Sequence, residues 1–174
     1  VDNDFGWKMP DRTKIWRYAG KNRTLRQLKL IEATQLKITL LADIHLTETN
    51  TTFQIAYNLD SEGALSINCQ CLINQSDVPT IPRIGLHFYL NSSLKNINWL
   101  GRGSFENYPD RKHAAHIGQY KSTVAEMYEP YISPQENGNR SDVREVTFSD
   151  KTETGLAIAG NDFNFTAIPF SPEE

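Results

Sequence analysis

Apolar residues recur at every second position along several stretches of this 174-residue chain. Such alternation is typical of a β-strand that packs one face against a core and leaves the other face in water. The stretches that show it are Leu36–Leu46, Phe53–Leu59, Leu65–Ile73 and Ile84–Leu90. Because the strands are many and adjoin turn residues, the pattern predicts a mostly β, antiparallel fold of two packed sheets.

The connections between these stretches support the same prediction. Asp60-Ser61-Glu62-Gly63 has the composition of a hairpin turn between two strands. Near the start, a loop is predicted for Asp2–Pro10 and a short helix for Asp11–Ala19, ending at Gly20. Later strands are predicted at Val143–Phe148, Leu156–Ala159 and Phe163–Ile168.

Between Leu100 and Asn139 the alternation is lost, and Gly, Pro, Asn and charged residues are crowded together. A long irregular segment within a regular β fold is where function or special packing usually lies. The segment therefore contains the first candidates for a site.

Bulk properties exclude some classes of function. A net charge of −3 gives no basic surface for nucleic acid, so no nucleic-acid partner is predicted. No apolar run approaches the roughly 20 residues of a membrane helix, and no membrane partner is predicted. Cys69 and Cys71 are two apart on a predicted strand and share a face, which favours buried or half-buried thiols over a disulfide.

Four blocks of residues occur in an order that is specific to one family. They are Asp2–Gly6 (DNDFG), Pro82–Leu86 (PRIGL), Asn98–Arg111 (NWLGRGSFENYPDR) and Met127–Arg140, which ends in QENGNR. With these blocks the chain resembles the C-terminal small-chain domain of the large bacterial β-galactosidases. One departure is Ser104, where the family usually has proline.

The resemblance implies an antiparallel supersandwich of the galactose-mutarotase-like type. It implies that residues 1–174 form a single, incomplete C-terminal domain of a multidomain enzyme, truncated before the family's last segment. In the family this domain follows a catalytic (β/α)₈ barrel. The longer polypeptide, here called the parent, is expected to hydrolyse terminal β-D-galactosyl residues, and this domain to shape the sugar site and the interdomain surface.

Two groups of site residues are predicted. The first, which the resemblance implies, is a loop at the rim of the sugar site, formed by Asp2, Asn3, Asp4, Phe5, Gly6 and Trp7. The second is a pair of structural loop motifs, formed by Glu106, Asn107, Tyr108, Asp110, Arg111, Glu136, Asn137 and Arg140. The density of opposite charge in these motifs predicts that ENYPDR and QENGNR lie near each other and are held by ion pairs. Of the three tryptophans, Trp16 and Trp99 are predicted to pack against the sheets, and Trp7 is the one considered near a ligand.

No catalytic residue is predicted in this chain. Retaining glycoside hydrolysis needs one carboxyl group as acid/base and another as nucleophile. The candidates by composition are Glu106, Asp110, Glu136 and Asp142, and each lies close in sequence to an arginine. A carboxylate paired with arginine has a lowered pKa, which suits neither role. By resemblance, the catalytic glutamates belong to the barrel, so the isolated chain is expected to be inactive.

No metal site or cofactor is predicted within the chain. His113 and His116 have the spacing of two ligands on a helix, but no third ligand accompanies them at a convincing spacing. By resemblance, any Mg or Na ions that the parent uses are expected at sites outside this chain.

The expected partners are a galactoside, bound through the parent, and the catalytic barrel of the same polypeptide. A homo-oligomeric parent, and its cytoplasmic or periplasmic location in a bacterium, stay open. Two alternative functions also stay open. One is a carbohydrate-binding module, and the other a mutarotase-like sugar epimerase that would use His113 or His116 with Glu106 or Glu136.

Overall fold

The computed structural model describes residues 5–132 and 135–170. The chain forms two compact units, Val1–Leu86 and His87–Glu174. Each contains one antiparallel four-stranded sheet. With 46% strand and 8% helix, the mostly β, antiparallel fold class is confirmed. That residues 1–174 are one incomplete domain of a longer protein stays a prediction.

The first unit contains two short helical turns near its start, α1 (Met9–Arg12) and a 3₁₀ turn (Lys14–Trp16). The predicted helix Asp11–Ala19 is therefore wrong in its bounds. Pro10 lies in the first turn of α1, where its missing N–H costs nothing, so the helix begins before Asp11. The Thr13 hydroxyl and backbone N–H both donate to the carbonyl of Met9, at 2.8 and 2.9 Å. Phe5 and Gly6 also have helical backbone, so the predicted loop is not irregular throughout.

The sheet of the first unit has the order β1-β2-β3-β4, with β1 at Thr24–Ala33, β2 at Lys37–Leu46, β3 at Thr51–Asp60 and β4 at Leu65–Ile73. Strands β2, β3 and β4 confirm three predictions. The predicted hairpin turn is also confirmed, since Asp60 Oδ1 accepts the N–H groups of Glu62 and Ala64 at 3.0 and 2.9 Å. Gly63 supplies the positive φ of 87° that this turn requires.

Strand β1 has no counterpart among the sequence predictions. Its register against β2 shifts between Leu25 and Gln27 and again between Leu30 and Glu32. Each β-bulge inserts one extra residue and breaks the two-residue period. The apolar side chains of β1 therefore follow no simple alternation in the sequence.

The register gives this sheet one apolar face and one polar face, because paired residues of neighbouring strands point the same way. We call the first of these the apolar face. It carries Leu25, Leu28 and Leu30 of β1, together with every second residue from Ile38 to Leu46 in β2, from Phe53 to Leu59 in β3 and from Leu65 to Ile73 in β4. The opposite face carries such residues as Lys37, Asp43, Gln54, Asn68 and Gln70.

The strand predicted at Ile84–Leu90 is wrong. Within the described residues this segment joins no β-ladder. Its alternating apolar residues, Ile84, Leu86, Phe88 and Leu90, are 39–58% exposed. Alternation shows that a segment can serve as a strand, but a strand exists only where a neighbour accepts its backbone hydrogen bonds.

The sheet of the second unit has the order β6-β5-β7-β8, with β5 at Asn96–Gly103, β6 at His116–Thr123, β7 at Arg140–Ser149 and β8 at Gly155–Phe165. The helix α2 (Val124–Met127) follows β6 and begins with a capping box between Thr123 and Glu126. The two strands predicted after Leu156 form the single strand β8, which pairs with β7 through two register shifts. Strand β6 was not predicted, because Gly118 and Gln119 interrupt its apolar residues.

The core of the second unit consists of Ile97, Trp99, Met127, Val143, Val146 and Phe148. Trp99 is 3% exposed, which confirms that it is a core residue. Its ring contacts those of Tyr120 and Phe165, with centroids 5.4 and 5.9 Å apart. Among the described residues, none of the helices has the length and apolar character that crossing a lipid bilayer demands.

Candidate functional site

Two loops of the second unit meet at the ends of β5 and β7. The first, Glu106–Arg111, follows β5, and the second, 135–139, leads into β7. The backbone N–H of Asn107 donates to the carbonyl of Asn139 at 2.9 Å. The predicted proximity of the ENYPDR and QENGNR motifs is thus observed, across thirty-odd residues of intervening chain.

Glu106 is the centre of the contact between the loops. Its side chain is 6% exposed, and one carboxylate oxygen accepts hydrogen bonds from the Arg111 guanidinium and from the Tyr131 hydroxyl. The other oxygen accepts the backbone N–H of Gly138 at 2.8 Å. Gly138 is suited to this place, since it has φ 76° and an added Cβ would lie 2.5 Å from the carbonyl oxygen of Met127.

These donors decide the protonation of Glu106. Burial by itself raises the pKa of this carboxyl, but the hydrogen bonds from Tyr131, Gly138 and Arg111 outweigh it and hold the pKa below its ordinary value. A carboxylate kept ionised by three donors has no proton to give. Because both oxygens are occupied, it is also a poor nucleophile.

The amide side chains of the motifs satisfy the backbone of the loops. Asn107 is fully buried, and its Oδ1 accepts the N–H of Ser141 at 2.9 Å. Asn139 Nδ2 donates to the carbonyl of Asn107 at 2.6 Å. Asn137 Oδ1 accepts the N–H of Glu129 at 3.2 Å. Buried loop backbone needs such partners, and short amides provide them.

The remaining members of the first motif lie nearer the surface. The Arg111 guanidinium lies over the Tyr108 ring, 4.8 Å from its centroid. Burial, together with the charges of Glu106 and Glu136, raises the pKa of Tyr108. Glu136 is itself exposed. Asp110 is exposed too, and forms no ion pair with the residues that the structure describes.

Arg140 is 3% exposed and packs against the core. Its guanidinium lies 5.4 Å from the centroid of the Trp99 ring and donates to the carbonyls of Gly138 and Asn139, both at 3.2 Å. Burial lowers the pKa of Arg140. A guanidinium stacked on an indole in this way closes the end of the core beneath the loops.

A second ion-paired group lies beside the first. Asp142 accepts from Arg102 Nε at 2.5 Å and from Lys112 Nζ at 2.6 Å, and these contacts lower its pKa. Arg102 also donates to the carbonyl of Ala115 at 2.7 Å. Asp142 has a positive φ of 51°, a conformation that aspartate tolerates better than most residues. This group joins β5, the loop after it and β7.

The predicted sugar-site loop lies in the first unit. Asp2, Asn3 and Asp4 fall outside the described residues. Phe5 and Trp7 are 70% and 74% exposed, and an added Cβ on Gly6 would meet no atom within 4 Å. The role of this loop at a sugar site stays a prediction.

The histidines and cysteines considered from the sequence do not form a further site among the described residues. His113 and His116 are both exposed. Cys69 and Cys71 are free thiols, and Cys69 is exposed, which corrects the predicted burial for that residue. Among the described residues, no group of three or more His, Cys, Asp or Glu side chains is arranged to hold a metal ion.

Sequence reasoning missed two participants, Tyr131 and Lys112. Tyr131 lies within the Met127–Arg140 block but was given no role, although its hydroxyl donates to Glu106. Lys112 follows Arg111 directly and pairs with a different carboxylate, Asp142. No spacing rule in the sequence connects Tyr131 to Glu106 or Lys112 to Asp142, because both contacts depend on how the loops fold back.

The fold and the site together define an antiparallel β protein in which the long loops of the second unit are fixed to each other by buried amides and ion pairs. The family model described as "Beta galactosidase small chain" matches residues 1–174. The chain therefore belongs to the β-galactosidase small-chain family.

Individual relatives agree with the family assignment. The chain is 33% identical to a β-galactosidase of Priestia megaterium over all of its own length and 17% of the relative's. It is 36% identical to one of Pseudoalteromonas haloplanktis, over 91% of this chain and 16% of the relative. A β-galactosidase of Streptococcus thermophilus is 29% identical over the whole of this chain and 17% of its own length. The chain thus spans less than a fifth of the length of these relatives.

Proposed function

We propose that this chain is a non-catalytic domain of a β-galactosidase whose other domains hydrolyse terminal β-D-galactosyl residues. The observation that carries the proposal is the state of Glu106, the most buried carboxylate of the two motifs. Arg111, Tyr131 and Gly138 occupy both of its oxygens. Such a carboxylate fixes loops and does no acid, base or nucleophilic chemistry.

The role of the domain in the parent would be to form part of the wall of the sugar site and an interdomain surface. Phe5 and Trp7 support this role, since two large aromatic side chains lie exposed around Gly6. Large exposed apolar side chains close together are typical of binding surfaces. The galactoside and the catalytic barrel of the same polypeptide are the partners proposed here, with any Mg or Na ions held by that barrel or other parts of the parent.

A mutarotase-like activity that relies on Glu106 is disfavoured by the state of this carboxylate. Acid–base work on a sugar ring needs a glutamate that can exchange its proton with substrate. Glu106 is held ionised by its three donors. No observation specifically favours an independent carbohydrate-binding module.

Hydrolysis of a chromogenic β-galactoside tests the proposal. The 174-residue chain should release the chromophore no faster than buffer, while the parent should hydrolyse the same compound. Turnover by the chain alone that disappears on Glu106→Gln or Glu136→Gln would contradict it. A parent without β-galactosidase activity would contradict it as well.

A further inference from the structure

Among the residues that the structure describes, the sheet of the first unit ends in two edge strands, β1 and β4. The two differ in how well they are protected against pairing with a further strand. An edge strand exposes a row of unpaired N–H and C=O groups, which can pair with any other strand that reaches them. Proteins usually prevent this by placing charges, prolines or β-bulges along the edge.

Strand β1 has such protection. It carries Arg26, Lys29 and Glu32, and its register is broken by two bulges. Glu32 in addition forms an ion pair with Lys37 of β2, at 3.5 Å. A second strand laid against β1 would have to match an irregular backbone and accommodate these charges.

Strand β4 has none of these features. Its sequence, LSINCQCLI, contains no charged residue and no proline. Each of its residues is paired with β3 in an unbroken register. The edge strands of the second unit are better protected against pairing with a further strand. Strand β6 carries Lys121, and β8 carries Asp162 and pairs with β7 through two register shifts.

The apolar side chains of β4 are left accessible along the same edge. Leu65 is 55% exposed and Ile73 46% exposed, and both belong to the apolar face. An uncharged alternating segment without proline is the kind that aggregates when it stays uncovered. Native proteins cover such edges, and a further strand is the cover that also pairs the outer N–H and C=O groups.

We infer that β4 is the acceptor for a β-strand from another part of the parent polypeptide, outside residues 1–174. This inference rests on the proposed function, because it requires that the chain is one part of a longer enzyme. The relatives support this source, since the chain corresponds to only 16–17% of the Priestia and Pseudoalteromonas enzymes. The incoming strand would alternate apolar and polar residues and extend the row formed by Leu65, Ile67 and Ile73.

Two other strands could pair with β4, and the experiment has to distinguish them from a strand of the parent outside residues 1–174. The segment Ile84–Leu90 of this chain alternates in the same way and joins no ladder in the described part of the chain. A second copy could also pair its own β4 with this one. The experiment must therefore report both that β4 is paired on its outer side and which segment pairs with it.

Residue-resolved hydrogen–deuterium exchange on the parent measures the pairing. In a strand paired on one side, alternate amides are free, whereas in a strand paired on both sides every amide is bonded. The alternate amides of β4 that do not pair with β3 should exchange at least about tenfold more slowly than the corresponding outer amides of β1, the control edge. Rapid exchange at every second amide of β4 would overturn the inference.

Photo-crosslinking identifies the occupant. A benzoylphenylalanine placed at Gln70 of β4 in the parent should crosslink to a peptide outside residues 1–174, and the same group at Lys29 of β1 should not. A crosslink to Ile84–Leu90, a crosslink between isotopically distinct copies, or no crosslink at Gln70 would contradict the inference.

Assaying the same preparation with a β-galactoside separates this inference from the proposed function. An active parent with a free β4 edge overturns this inference alone, whereas an inactive parent overturns the proposed function.

Discussion

The backbone N–H of Gly138 donates a 2.8 Å hydrogen bond to the carboxylate of Glu106, thirty-two residues earlier in the chain. Because Arg111 and Tyr131 donate to the same carboxylate, one buried side chain fixes both long loops of the second unit. Loss of the Glu106 carboxylate should therefore loosen these two loops more than loss of any other single group in them.

Replacement of Glu106 by alanine should destabilise the protein. The change leaves the buried N–H of Gly138 without an acceptor, which costs about 1–3 kcal/mol. Asp110→Ala is the matched control, since Asp110 is an exposed carboxylate of the same motif and should change stability by less than about 0.5 kcal/mol. Urea unfolding followed by tryptophan fluorescence compares the two. Equal midpoints for both variants would remove the structural role assigned to Glu106.

The contribution of Glu106 should depend on pH. Its pKa in the folded protein lies below the ordinary value, so its stabilisation is complete above the unfolded-state pKa of about 4.3. As the pH falls through the folded pKa, the carboxylate is protonated and the stabilisation is lost. The gap in unfolding free energy between wild type and Glu106→Gln should therefore be widest above about pH 5 and narrow towards pH 3. A gap that stays constant over this range would contradict the pKa direction.

The ion-paired group of Asp142 allows a test against a chemically matched residue. Asp142 and Asp162 both have positive φ, and asparagine tolerates this conformation. Asp142 contacts Arg102 and Lys112 at 2.5 and 2.6 Å, whereas Asp162 is 68% exposed and 3.7 Å from Arg144. Asp142→Asn should cost about 1 kcal/mol and Asp162→Asn close to nothing, as measured by thermal unfolding. Similar losses in both would mean that the close ion pairs add no stability.

The aromatic loop around Gly6 should affect kinetics in the parent. A Cβ added at Gly6 would meet no atom within 4 Å in this chain, so a change in kcat or KM on Gly6→Ala would come from restricted motion or from contacts with the rest of the enzyme. Gly20→Ala, whose added Cβ is equally unobstructed, should leave both constants unchanged. Unaltered constants for Gly6→Ala in a folded parent would reduce the loop to a connector.

How well the sequence predicted the fold depended on the regularity of each strand. Strands β2, β3 and β4 were found because the extra residues of the β1–β2 register shifts lie on β1, and the β2–β3 and β3–β4 pairs have no shifts, so the two-residue period survives in all three strands. Strand β1 was missed because its two bulges break that period. Ile84–Leu90 was predicted as a strand although it joins no ladder among the described residues, since periodicity carries no information about the partner.

The candidate site was also predicted only in part, because the pairing of its residues depends on the path of the loops. Crowded opposite charges indicated that the loops are held by ion pairs, and the Glu106–Arg111 contact agrees with that. Which charge meets which depends on the loop path, and Lys112 and Tyr131 could not be assigned before that path was known. The fully buried Asn107 shows why the motif needs its amide, because it bonds backbone that no strand satisfies.

The steady-state rate of the parent carrying Glu106→Gln, measured with a chromogenic β-galactoside well below its melting temperature, tests the central claim most directly. If Glu106 fixes loops in a non-catalytic domain, kcat should fall by less than about tenfold, and the main loss should be in Tm. Removing a group that transfers protons in the reaction typically costs about 10²–10⁴-fold in rate. A loss of that size in kcat, with Tm unchanged, would contradict the account.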